Sequence, residues 1–142
     1  MSLAYTLTPT SADAVVADLL AVPVFADRGL GPGADAVDAA LGGGLAEFME
    51  ETDFNGKPGE TLAVPTGGRL RAKAVILVGV GKREDLTVDG VRRAAASVAK
   101  RAAKVTSLAT TLLDATPDEV DRAEAAQALA EGAALGSYRF LR

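Results

Sequence analysis

The chain has 142 residues, 49% of them apolar and 24% charged, with a formal net charge of −4. That composition suits one globular domain rather than a disordered segment. Histidine and cysteine are both absent, which excludes disulfides, thiolate metal sites and imidazole general-base chemistry. No apolar run approaches the ~18 residues of a bilayer span, and no charged start with an apolar stretch marks a secretory signal. The expected location is therefore the cytoplasm.

In chain order, "YTLT" (5–8) reads as a short strand. "VVADLLAVPVF" (15–25) reads as a longer one, with Pro23 pointing to an edge position or a bulge near its end. "DRGLGPG" (27–33) is a turn by its glycines and proline. From Ala34 to Glu50, apolar residues recur at three and four (Val37, Ala40, Leu41, Leu45, Phe48, Met49), the pattern of a helix with one buried stripe. Gly42-Gly43-Gly44 interrupts it and points to a break or a close approach. "TLAVP" (61–65) and "KAVILVGV" (73–80) are strands, the second apolar on both faces like a central strand under helices.

A helix should then run from Val88 to Lys104, burying Val88, Val91, Ala95, Val98 and Ala102. "VTSLATTLL" (105–113) is rich in strand formers. Thr116-Pro117-Asp118-Glu119 has the form of a helix start, with a Thr cap, Pro at the first helical position and an acid following. The helix from Pro117 should bury Val120, Ala123 and Ala130 on its way to Leu135. Alternating strands and helices imply a mixed or mostly parallel α/β sheet with helices on both sides.

"AVILVGVGKREDL" (74–86) invites reading as a phosphate loop. The P-loop spacing places Ile76 where a glycine is needed and Arg83 where Ser or Thr is needed. The dinucleotide fingerprint fails as well, because Glu84 stands at its third glycine. The stretch is expected to be a tight strand-to-helix turn with solvated Lys82 and Arg83.

Glu47, Glu50, Glu51 and Asp53 cluster at a helix end, but their spacing matches no cation loop, and acids there oppose the helix dipole. They read as a solvated acidic patch. Without histidine no Ser-His-Asp triad can form, and nothing marks a Ser-Lys pair. Charge is unevenly spread. Residues 1–68 hold ten acids and two bases, whereas 69–104 hold ten bases and three acids. On the helix from Val88, Arg92, Arg93, Lys100, Arg101 and Lys104 fall opposite the valine stripe, with Lys73, Lys82 and Arg83 nearby in sequence. This basic face is either ordinary solvated surface or a contact for phosphates or an acidic partner. No aromatic residue interleaves it, which argues against single-strand stacking.

Four segments occur in a telling order: "TDFNGKPGET" (52–61), "VILVGVGKREDLT" (75–87), "VRRAAASVAKRA" (91–102) and "AEGAALGSYRF" (130–140). Together they resemble the N-terminal domain of the leucine (cytosol) aminopeptidase family, over Leu7 to Arg142. The resemblance implies a three-layer αβα domain with a macro-like mixed sheet, preceding a separate catalytic domain. In the family that second domain removes N-terminal residues from peptides with two divalent metal ions, manganese or zinc, and the enzyme is typically a homohexamer. The family's Asn-Thr-Asp-Ala-Glu-Gly-Arg stretch has no counterpart here, so no catalytic or metal-binding residue is carried over. The implied role is non-catalytic, in assembly and substrate access, with the chain's own catalytic domain as partner. Tyr138 and Phe140, two of six aromatic residues, become candidate interdomain contacts. The alternative is a nucleic-acid-binding module using the basic face of helix 88–104. A ligand such as ADP-ribose rests on fold analogy alone.

Overall fold

The computed structural model describes residues 4–7, 18–101 and 107–139. Its sheet runs in the order β1 (Ala4–Leu7), β6 (Ser107–Thr110), β2 (Leu19–Phe25), β5 (Ala74–Gly81), β4 (Thr61–Val64). The first four are mutually parallel and β4 closes the sheet antiparallel to β5. A two-residue β3 (Gly29–Leu30), within the expected turn, pairs antiparallel with the end of β2. Helices α1 (Ala34–Ala40) and α2 (Leu45–Glu51) share one apolar core with Leu20, Val22, Val75 and Leu77. Helices α3 (Val88–Arg101) and α4 (Arg122–Arg139) share the other with Leu19, Ala21, Ile76 and Val78. Because successive side chains alternate across a strand, β2 and β5 each feed both cores and must be apolar throughout. This is the expected αβα mixed-sheet architecture.

Pro23 sits inside the sheet without breaking it. The pairing of β2 with β6 stops at Ala21, beyond which the Pro23 carbonyl accepts from Gly31 N at 3.0 Å. The register against β5 also shifts between Val24 and Phe25, which is the irregularity expected near the strand end. The upstream part of the expected strand, residues 15–17, lies outside the described residues.

The single helix expected over 34–50 is two. Gly42 and Gly43 take φ of +86° and +83°, a left-handed conformation that ends a helix and favours glycine. The Asp38 carboxylate then accepts from Leu45 N at 2.9 Å, binding the start of α2 to the preceding helix.

The start of α4 also corrects the sequence reading. Thr116 does not cap it; its hydroxyl donates back to the Leu113 carbonyl at 2.8 Å, closing a short 3₁₀ turn over Leu112–Ala115. Asp121 is the cap, its Oδ1 accepting from Ala123 N at 2.8 Å and Glu124 N at 3.1 Å. The buried face moves accordingly. Ala123 and Ala130 are exposed, Val120 is only half-buried, and Ala125, Ala128, Leu129 and Ala133 enter the core. On α3 the core residues are Val91, Ala94, Ala95, Val98 and Ala99, whereas Val88 is only half-buried. Ala102 lies outside the described residues.

Candidate functional site

The glycines at the end of β5 make room for another piece of backbone. A Cβ on Gly79 would lie 2.1 Å from the Lys57 carbonyl oxygen, so only glycine fits there. Gly81 has φ of +75°, and a Cβ on it would meet Pro58 at 3.0 Å. Segment 56–60 is laced to the strand end: Gly59 N donates to Gly79 O at 3.1 Å, Gly79 N to Glu60 O at 2.7 Å, and Gly81 N to Gly56 O at 2.9 Å. The Glu60 carboxylate braces the turn from inside by accepting from Lys57 N at 2.8 Å and Asn55 N at 3.2 Å. After Gly81 the chain makes a 3₁₀ turn over Arg83–Asp85 and enters α3 at Val88. The backbone donors of both glycines are already taken, so they do not cradle a phosphate, in keeping with the failed motif spacing. Lys82 and Arg83 are exposed.

Between this strand end, the 57–59 turn and one side of α3 lies a cleft of about 770 Å³. Apolar residues such as Pro58, Val80, Leu86 and Ala96 line it, together with the cations Lys57, Lys82, Arg93 and Lys100 and the carboxylates Asp85 and Asp89. The sequence did not signal this convergence, because Lys57, Lys82 and Lys100 stand far apart in the chain. Only the pairing of segment 56–60 with β5 brings Lys57 to α3.

The residues of the basic face separate into different environments. Arg92 pairs with Asp89 at 3.0 Å and reaches Glu131 of α4 at 3.1 Å. Its guanidinium is held above the ordinary arginine value, chiefly by the hydrogen bond to Glu131, with Asp89 adding to this against a desolvation effect. Arg93 binds the other oxygen of Asp89 at 2.9 Å. Arg101 donates to Thr61 Oγ1 on β4 at 3.4 Å, and Lys100 is exposed along the cleft. Lys104 lies outside the described residues. Lys73 pairs with Asp18 at 3.3 Å, at the opposite end of β5 from Lys82 and Arg83. The structure thus joins Arg93, Lys100 and Lys82 at one cleft and turns Arg92 toward α4.

Glu47, Glu50, Glu51 and Asp53 are exposed at the end of α2 and in the following turn. Asp53 approaches Arg28 at 4.0 Å. Among the described residues no group of three or more His, Cys, Asp or Glu is placed to hold a metal ion. Tyr138 falls within α4, and Phe140 lies beyond the described residues. No described helix is long and apolar enough to cross a membrane.

The arrangement defines a three-layer α/β domain whose described residues form a lysine-lined cleft but no metal-ligand cluster. Residues 21–142 match the family model described as the N-terminal domain of the cytosol aminopeptidase family, and the chain belongs to that family. It is 37% identical over 138 residues to a probable cytosol aminopeptidase of Thermosynechococcus vestitus, covering 94% of this chain and 27% of the relative. It is 42% identical over 105 residues to one of Geobacter sp. strain M21, covering 72% and 21%. The chain thus spans about a quarter of the length of these relatives. Among solved structures it resembles the bottromycin maturation enzyme BotP in complex with Mn (30% identity, TM-score 0.66, 87% of this chain and 24% of that one). A mutant of tomato leucine aminopeptidase shares the fold at 21% identity, with a TM-score of 0.71 over 96% of this chain and 28% of that one.

Proposed function

We propose that this chain acts as the non-catalytic N-terminal domain of a leucyl aminopeptidase, positioning a catalytic domain and shaping assembly and substrate access. The observation that carries this reading is the extent of the match. The family model takes in residues 21–142, and the match to the relative from Thermosynechococcus vestitus takes in 94% of this chain but only 27% of that protein. The parent enzyme would remove N-terminal amino acids from peptides in the cytoplasm, using two divalent ions held by its other domain. The manganese in the BotP complex favours manganese, with zinc as the other candidate, and the working assembly would be a homohexamer. Tyr138 and Phe140, at the end of α4 and just past it, would contact the catalytic domain.

A graft tests this role. This chain replaces the matching region of the Geobacter relative, and the chimera is compared with the same enzyme lacking the region. The proposal expects the chimera to recover assembly by light scattering and peptide turnover. Equal assembly and turnover with and without the domain would reject it.

The second reading, a nucleic-acid-binding module on helix 88–104, draws on exposed Arg93, Lys100 and Arg101. It is weakened because Asp89 engages both Arg92 and Arg93, leaving fewer free cations for phosphates.

A further inference from the structure

The cleft beside α3 has features that the aminopeptidase reading does not use. Strands β2 and β5 are adjacent and parallel, yet the chain leaves them toward opposite faces of the sheet. After β2 it enters α1 and α2, which bury Val37 and Met49 in one core. After β5 it enters α3, which buries Val91 and Val98 in the other. Such a divergence opens a crevice at the carboxyl ends of the two strands, the usual ligand position in open α/β sheets. The cleft lies there, between Ala26 just past β2 and Gly81 at the end of β5. Its volume of about 770 Å³ is within the range of small-molecule sites.

The lysines identify the class of ligand. The chain has five, and three of them, Lys57, Lys82 and Lys100, line this one cleft. Among the described ion pairs none involves these three, whereas Lys73 is paired with Asp18. Their convergence on a chain of net charge −4 concentrates positive potential in a concave site. Of the two acids there, Asp89 is paired with Arg92 and Arg93, and Asp85 shares the cleft with an excess of cations. The Lys57 wall is preformed, because Gly79 and Gly81 fix segment 56–60 through the backbone. No aromatic side chain lines the cleft to stack a base. With the glycine amides already bonded, an anion would be held by ammonium groups acting as point charges.

We infer that this cleft binds a small di- or triphosphate through Lys57, Lys82 and Lys100, with little discrimination by the group attached. Calorimetric titration of the full chain with inorganic pyrophosphate, and separately with ADP, tests it. Both should bind with dissociation constants below ~1 mM and within about tenfold of each other. The Lys57→Ala/Lys82→Ala/Lys100→Ala variant, its fold checked by circular dichroism, should bind at least about tenfold more weakly, and Lys73→Ala should bind unchanged. Failure of pyrophosphate to bind, or equal weakening by Lys73→Ala, would overturn the inference. Binding of a short DNA duplex that needs the three lysines, without binding of pyrophosphate, would overturn it in favour of an extended polyanion surface.

Discussion

Gly132 of α4 lies against the Arg92 carbonyl of α3 so closely that a Cβ on it would fall 2.0 Å from that oxygen. The two helices share a core made largely of alanines, with Ala94, Ala95 and Ala99 from α3 and Ala125 and Ala133, beside Leu129, from α4. Small residues at the crossing let the backbones approach, and the Arg92–Glu131 ion pair closes the contact at its rim.

Gly132→Ala is therefore expected to destabilise the domain although alanine is the better helix former. Replacing glycine should gain up to ~1 kcal/mol of helix propensity. Forcing a methyl group into a backbone carbonyl should cost more than that, for a net loss of about 2 kcal/mol. Urea unfolding measures it, and a stabilised variant would mean that the helices stand farther apart than described.

Gly79 should tolerate substitution least of the residues in the 79–83 turn. Gly79→Val drives a side chain into the Lys57 carbonyl and should remove several kcal/mol or prevent folding. Gly81→Val adds left-handed strain, of order 1–3 kcal/mol. Lys82→Ala and Arg83→Ala, at exposed positions, should stay within about 0.5 kcal/mol. Thermal unfolding of the four variants should separate them in that order.

Thr110 is a buried polar linker. Its hydroxyl donates to the Ala21 carbonyl at 2.9 Å and accepts from Leu112 N at 3.1 Å, joining β6, β2 and the turn that follows. Thr110→Val keeps the shape but strips the Leu112 N–H of its acceptor, while the Ala21 carbonyl still accepts from Thr111 N at 3.3 Å. A loss of about 1–3 kcal/mol in urea unfolding is expected, and Thr110→Ser should retain most of the stability.

These contacts show which parts of the structure could be read from the chain. Strand β5 and the Val91, Ala95 and Val98 stripe of α3 follow from local pattern, since a central strand must be apolar on both faces and a surface helix carries one stripe. The face of α4 does not. Alanines occur all around it, so periodicity cannot choose among them, and Leu129 and Gly132 decide the register only once α3 is in place. Its start is ambiguous in sequence because two capping residues stand five positions apart, at Thr116 and Asp121. The Thr116 hydroxyl turns back to Leu113 instead. The cleft was hidden for a similar reason: Lys57 belongs to it only through the long-range pairing of its turn with Gly79.

The tail supplies a prediction for the proposed interdomain contact. If Tyr138 and Phe140 serve the proposed interdomain contact, truncation after Gly136, which removes both, should cost the chain less than about 1 kcal/mol in urea unfolding, as for an end that is not docked. A drop of several kcal/mol would place the two aromatic residues in this domain's own core.

A domain that supports an aminopeptidase without performing its chemistry should not hydrolyse leucine p-nitroanilide by itself. The purified chain with added manganese or zinc is expected to give no turnover above the metal-only control. Metal-dependent turnover that disappears on substituting acidic residues of this chain, such as Glu47 and Glu50, would contradict it.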